Sequence, residues 1–147
     1  MELQVQSVIK IIIAVIIGGF IGLERESASR PAGFRTHILV CVASAMVMDI
    51  NLQLAENFVN ADPVRLGAQV ISGMGFLGAG TIIKEGASVR GLTTAAGLWS
   101  VACLGLVIGA GFYMMALFAS LVMLLTLKTF NQLEQRYSKQ KKDQMKP

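Results

Sequence analysis

GLTTAAGLWSVACLGLVIGAGFYMMALFASLVMLLTL, residues 91–127, contains no Asp, Glu, Lys or Arg. As one helix these 37 residues would be about 55 Å long, against a bilayer core of about 30 Å. The stretch must fold back on itself. Gly109–Ala110–Gly111 is the break, because glycine accepts the backbone of a tight turn. Two spans result, about 91–108 and 112–127. Tyr113 sits where an outer aromatic belt belongs.

The rest of the chain has the same character. Of its 147 residues, 54% are hydrophobic before the 15 glycines are counted, and 15% are charged. Ordinary globular domains carry about 25% charge. A soluble domain of this size could not cover its surface, so a polytopic membrane protein is expected. Three further spans precede residue 91: 5–23, with Lys10 snorkelling to the headgroups, 37–54, interrupted by Asp49, and 63–83. Asp62 and Pro63 give the third an N-cap and a first-turn proline. A polar loop, KEGASVRG, follows. A cleaved leader is not expected, since Glu2 stands where a basic n-region would be.

Basic residues set the orientation. Arg25, Arg30 and Arg35 follow the first span, Lys84 and Arg90 the third, and Lys128, Arg136, Lys139, Lys141, Lys142 and Lys146 the fifth. Only Lys10 and Arg65 fall on the opposite side. The bias puts the N-terminus outside and the C-terminus in the cytoplasm, which agrees with five crossings. The fold class expected is an all-α bundle of five transmembrane helices over 1–127, with a short basic tail over 128–147. That tail reads as a solvated helix extension that can touch anionic lipid, and no nucleic-acid surface is visible. Cys41 and Cys103 lie in apolar runs without metal spacing, so neither zinc nor a disulfide is expected.

Ionisable groups at membrane depth are functional candidates. Asp49, Gln53 and Glu56 share one face of the second span, and Arg65, Gln69 and Ser72 one face of the third. Facing residues of an antiparallel hairpin have a nearly constant sum of numbers, as Glu56 with Arg65, Gln53 with Gln69 and Asp49 with Ser72 do. A polar seam is therefore expected, with Arg65 reaching Asp49 or Glu56. It either pins two helices together or opens an ion-accessible pocket. Glu24, Arg25, Glu26, Arg35 and His37 form a second, cytoplasmic patch, read as ion-paired helix ends without a nucleophile. No enzyme is expected.

The third span holds Gly73, Gly75, Gly78 and Gly80, read as close packing in preference to local unwinding. Gly18/Gly22 and Gly105/Gly109 carry the GxxxG spacing of helix contacts. On the fourth span, Thr93, Gly97 and Ser100 give a small polar face. Trp99 lies too deep for an aromatic belt, so its indole N–H is expected to find a partner inside the bundle.

Together GGFIGLERE (18–26), AGFRTH (32–37), DPVRLGAQVISGMGFLGAGTI (62–82) and VRGLTTAAGLWSVACLGLVIG (89–109) resemble the MgtC/SapB family of bacterial inner-membrane proteins. GFLGAG and GLTTAA, with Thr93 and Thr94, are the specific strings. The resemblance implies a bundle of about five helices, a place in the bacterial plasma membrane and a link to growth in low magnesium. Many members carry a soluble C-terminal domain. The roughly 20 residues after the fifth span are too few for one. The first functional expectation is a regulator of other membrane machinery, with a membrane protein or a second copy as partner. The alternative is a transporter or channel for Mg²⁺ or another small ion. No cofactor is implied. Mg²⁺ takes oxygen ligands, which Asp49, Gln53, Glu56 and Ser72 offer, but Arg65 would repel it.

Overall fold

The computed structural model describes residues 2–58 and 60–144, with side chains to residue 129. The basic side chains of the tail beyond Lys128 therefore lie outside the described ones. Five helices follow in order: α1 (Glu2–Ser27), α2 (Phe34–Asn57), α3 (Arg65–Ala79), α4 (Leu92–Gly109) and α5 (Tyr113–Gln144). The all-helical architecture matches the expectation. Three helices, α1, α2 and α4, are long and apolar enough to cross a membrane, and the apolar part of α5, Tyr113–Thr129, is shorter. With 15 residues, α3 is about 22 Å long.

Each boundary has a local cause. The α4–α5 break falls at 110–112. Phe112 N–H bonds to Val107 O at 3.1 Å and Gly111 N–H to Ile108 O at 2.9 Å, with Gly111 at φ 84°. This is a Schellman end, and it needs a left-handed residue that glycine supplies without cost. The end of α1 repeats the pattern with Arg30 N–H to Arg25 O (3.1 Å) and Ser29 N–H to Glu26 O (2.9 Å). There the left-handed position is Ser29, at φ 53°. Ser29→Gly should therefore stabilise the fold by about 0.5–1 kcal/mol. A higher melting temperature in detergent would show this, and an unchanged or lower one would refute it.

Two expected details are corrected. Asp62 does not cap a helix that starts at Pro63. Its Oδ1 accepts the Val64 N–H at 2.9 Å in an Asx turn, and α3 begins at Arg65. Local turn hydrogen bonding outcompetes the first helical turn there. The third span, expected to reach residue 83, ends as a helix at Ala79, and the polar loop after it is an ordered hairpin. Ile83–Glu85 (β1) and Ser88–Arg90 (β2) pair antiparallel around Gly86–Ala87. All six strand residues are exposed, and a lone hairpin is marginal by itself. Its base is clamped at Gly91, φ 89°, where a Cβ would lie 1.9 Å from the Thr81 carbonyl oxygen.

The core lies where α1, α2 and α4 meet, around Ala14, Ile21, Cys41, Ala45, Val101 and Ile108, with Ala116 from α5. α2 is the central element, and its contacts with α1 and α4 are the most extensive in the chain. The outside is apolar: Phe76 is 84% and Met114 79% exposed, as a lipid-facing surface requires.

Glycines make the close contacts possible, but not those of the third span. A Cβ on Gly105 would lie 2.3 Å from the Cys41 carbonyl oxygen, and one on Gly109 2.4 Å from that of Ala45. Gly18 and Gly22 bring α1 equally close to α2, with Cβ positions 2.9 Å from the His37 oxygen and 2.7 Å from the Phe34 Cα. By contrast, Gly73 and Gly75 have nothing within 4 Å, Gly78 has ordinary room beside Ala95 at 3.6 Å, and Gly80 meets only Leu77 and Phe76 of its own helix. The packing role expected of the GMGFLGAG run is thus not seen within the chain. The GxxxG pairs of α1 and α4 carry it.

Candidate functional site

Asp49 is buried two-thirds of the way along α2, and its carboxylate must be compensated there. The compensating cation is Lys10 from α1, which ion-pairs with Asp49 Oδ1. The other oxygen, Oδ2, accepts hydrogen bonds from Ser7 Oγ at 2.6 Å and Gln53 Nε2 at 2.9 Å. Gln53 Nε2 also donates to Ser7 Oγ at 3.1 Å. Four side chains from two helices thus form one closed network around one carboxylate. The side chains of Lys10 and Asp49 are only 15% and 9% exposed. A crevice of about 200 Å³ opens against them, with Ile11, Ala45, Met46 and Ile50 completing its wall.

The expected seam between α2 and α3 is not formed. Of its members, Asp49 and Gln53 come together. Glu56, Arg65, Gln69 and Ser72 are exposed, and Arg65 makes no ion pair with Asp49 or Glu56. The physical reason lies in the partner helix: α2 buries its Asp49 face against α1, not α3. Beside the apolar packing of Val40 and Val70 on the cluster around Met74, the polar link between α2 and α3 is Asn51, 4% exposed. Its Oδ1 accepts the Leu66 N–H at 3.1 Å and its Nδ2 donates to Asp62 O at 3.5 Å, so it caps the start of α3 from a neighbouring helix. Lys10, expected to snorkel to the headgroups, instead turns inward to Asp49, and Ser7 and Asn51 were not legible as site residues. A signal existed for Lys10. Lys10 with Asp49, Gly18 with Cys41 and Gly22 with His37 share one sum of numbers, the same test that was satisfied by the α2–α3 stripes.

At the other end of α1 the second expected patch, Glu24, Arg25, Glu26, Arg35 and His37, does not act as one unit. Glu26 acts structurally: its Oε2 accepts the Phe34 N–H at 2.7 Å and so caps α2, whose own N-cap, Gly33, has no side chain. Arg35 is exposed. Arg25 and His37 are deeply buried, at 3% and 1% exposure. Arg25 Nη1 meets Glu24 Oε2 at 3.5 Å, and His37 Nδ1 meets the Gly33 carbonyl oxygen at 2.9 Å.

On α4 the buried polar face is Thr94 and Gly97, and Thr93 is exposed. Trp99 is 45% exposed, on the outer side of the bundle. The expected internal partner for its indole is therefore not found among the described residues. No three of His, Cys, Asp and Glu converge as a metal site among those residues.

Residues 11–136 match the model of the MgtC family. The chain is 41% identical over 131 residues to "Putative magnesium transporter YhiD" of Escherichia coli K12, covering 86% of this chain and 61% of that protein. It is 46% identical to SapB of Bacillus subtilis over 123 residues (80% and 53%). With MgtC of Brucella abortus the identity is 48% over 100 residues (67% and 40%). The chain thus spans between two-fifths and three-fifths of the length of these relatives. No solved structure matches. By this family match and these identities, the chain belongs to the MgtC family.

Proposed function

We propose that this is a five-span membrane protein of magnesium homeostasis that regulates other membrane machinery and does not itself conduct Mg²⁺. The observation that supports this is the state of Asp49. Its two oxygens are engaged by Lys10, Ser7 and Gln53, so a divalent cation would have to displace a fixed ammonium group. Mg²⁺ dehydrates reluctantly and needs near-ideal oxygen geometry, which a neutralised carboxylate does not offer. The magnesium setting comes from the relatives. The five crossings rest on α1, α2 and α4, on the shorter α3, and on the apolar part of α5, with eleven basic residues of the sequence assigned to one side.

A second reading, transport, is favoured by one feature: the crevice of about 200 Å³ leads to this same carboxylate. Liposomes containing only the purified protein separate the two. Under the regulatory reading, an internal Mg²⁺ indicator should report no protein-dependent influx. Saturable influx that disappears in Asp49→Asn would establish transport instead. In the same preparation, single cysteines at Asn60 and Ser88, in a background lacking Cys41 and Cys103, should label from opposite faces. Labelling from one face would refute the five crossings.

A further inference from the structure

Two buried polar atoms at the α1–α2–α4 junction meet no protein partner among the described residues: Arg25 Nε and His37 Nε2. Buried polar atoms are almost always satisfied, and an orphan requires an explanation. The two belong to one place. Gly22 packs on His37, with a Cβ position 3.1 Å from the His37 Cβ. Arg25 lies three residues further along α1, and a helical side chain covers the turn before its own Cα, which here contains Gly22. Across the junction stands Gly97 of α4, whose added Cβ would lie 3.9 Å from His37 Nε2.

The chemistry of the two atoms is complementary. The Gly33 carbonyl can only accept, so the bond at His37 Nδ1 fixes the proton there. In the neutral ring Nε2 is then a bare lone pair. Arg25 Nε–H can only donate. One group that accepts from Arg25 and donates to His37 satisfies both, and water is the smallest molecule that does so. An anion would accept from Arg25 but find no donor at a neutral Nε2.

We propose that a single internal water binds between Arg25 Nε and His37 Nε2, beside Gly97, and links α1 to α2 at their cytoplasmic ends. This site is separate from the Asp49 network and does not depend on the magnesium reading. His37 is the only histidine in the chain, so ¹⁵N-histidine labelling in nanodiscs gives one ring to observe at neutral pH. The expected result is a ring protonated at Nδ1 and bare at Nε2, with a cross-peak from its Hε1 to a slowly exchanging water. Arg25→Met should abolish that cross-peak. Because Arg25→Met can also unfold the junction, Gly97→Ala is the second variant. Its methyl group fits at ordinary contact distance, and it should weaken the water signal by crowding Nε2. A ring protonated at Nε2, or bare at Nε2 without the water, overturns the proposal. So does a doubly protonated ring, which would mean an anion held between two cations. Persistence of the water signal in both variants overturns its placement.

Discussion

Gly105→Ala and Gly109→Ala are each expected to destabilise the bundle severely, and together to abolish recovery of folded protein. A single methyl at Gly105 would stand 2.3 Å from the Cys41 carbonyl oxygen and at Gly109 2.4 Å from that of Ala45. Both obstacles are backbone of the central helix, so no rotamer change relieves them. Overpacking in a well-filled core costs about 1–3 kcal/mol, occasionally more. These contacts belong at the upper end, because α2 is held on its opposite side by α1 and cannot retreat. Thermal melts in detergent, followed by size-exclusion recovery, measure the effect. Gly75→Ala is the control. It has nothing within 4 Å and should melt like the parent. Parent-like melting of Gly105→Ala would disprove the packing described for α2 and α4.

The second large effect concerns Lys10. Lys10→Met removes the only cation paired with Asp49 among the described residues and leaves a buried carboxylate held by Ser7 and Gln53. Stranding a buried charge costs about 3–5 kcal/mol in soluble proteins. Asp49→Asn should cost less, since the Lys10 stem lets its ammonium group reach toward the headgroups. Lys10→Met with Asp49→Asn should be clearly milder than the two losses added, the sign of direct coupling. Arg65→Gln should leave stability unchanged because Arg65 is exposed. Additive losses for Lys10 and Asp49, or a large loss for Arg65→Gln, would contradict the network. If Asp49→Asn removes low-magnesium growth while the protein stays folded, and the double variant fails equally, the carboxylate acts on an ion and the transport reading gains.

The contrast between Lys10 and Arg65 shows what was legible in the sequence. The charge-free run and the glycine turn at 109–111 fix α4 and the start of α5 to within a residue, because a bilayer core tolerates little else, while the ends of α1, α2 and α3 differ from the expected spans by two to four residues. Asp49 was legible as an isolated acid at depth. Its partner was not, because number-sum pairing fits any hairpin, and α2 lies in two of them. Only packing decides between α1 and α3, and the deciding residues are Gly18 and Gly22, which carry no polar signal. The glycine run 73–80 misled for a related reason. Glycine spacing marks where a close approach is permitted, while the observed approach depends on which neighbour is present. The hairpin at 83–90 was hidden by its shortness and full exposure.

The placement of α2 has a consequence for how the chain is assembled during synthesis. Its first neighbour, α1, is already made when α2 emerges, so one side is covered at once. The other side must wait through α3 and the hairpin until Gly105 and Gly109 arrive. In that interval the Cys41–Ala45 backbone, which Gly105 and Gly109 cover in the finished fold, has no α4 against it. A nascent chain halted before residue 91 therefore presents a cleft shaped for a glycine-bearing helix, open to the corresponding helix of another copy. Completion of α4 closes that cleft from within the same molecule.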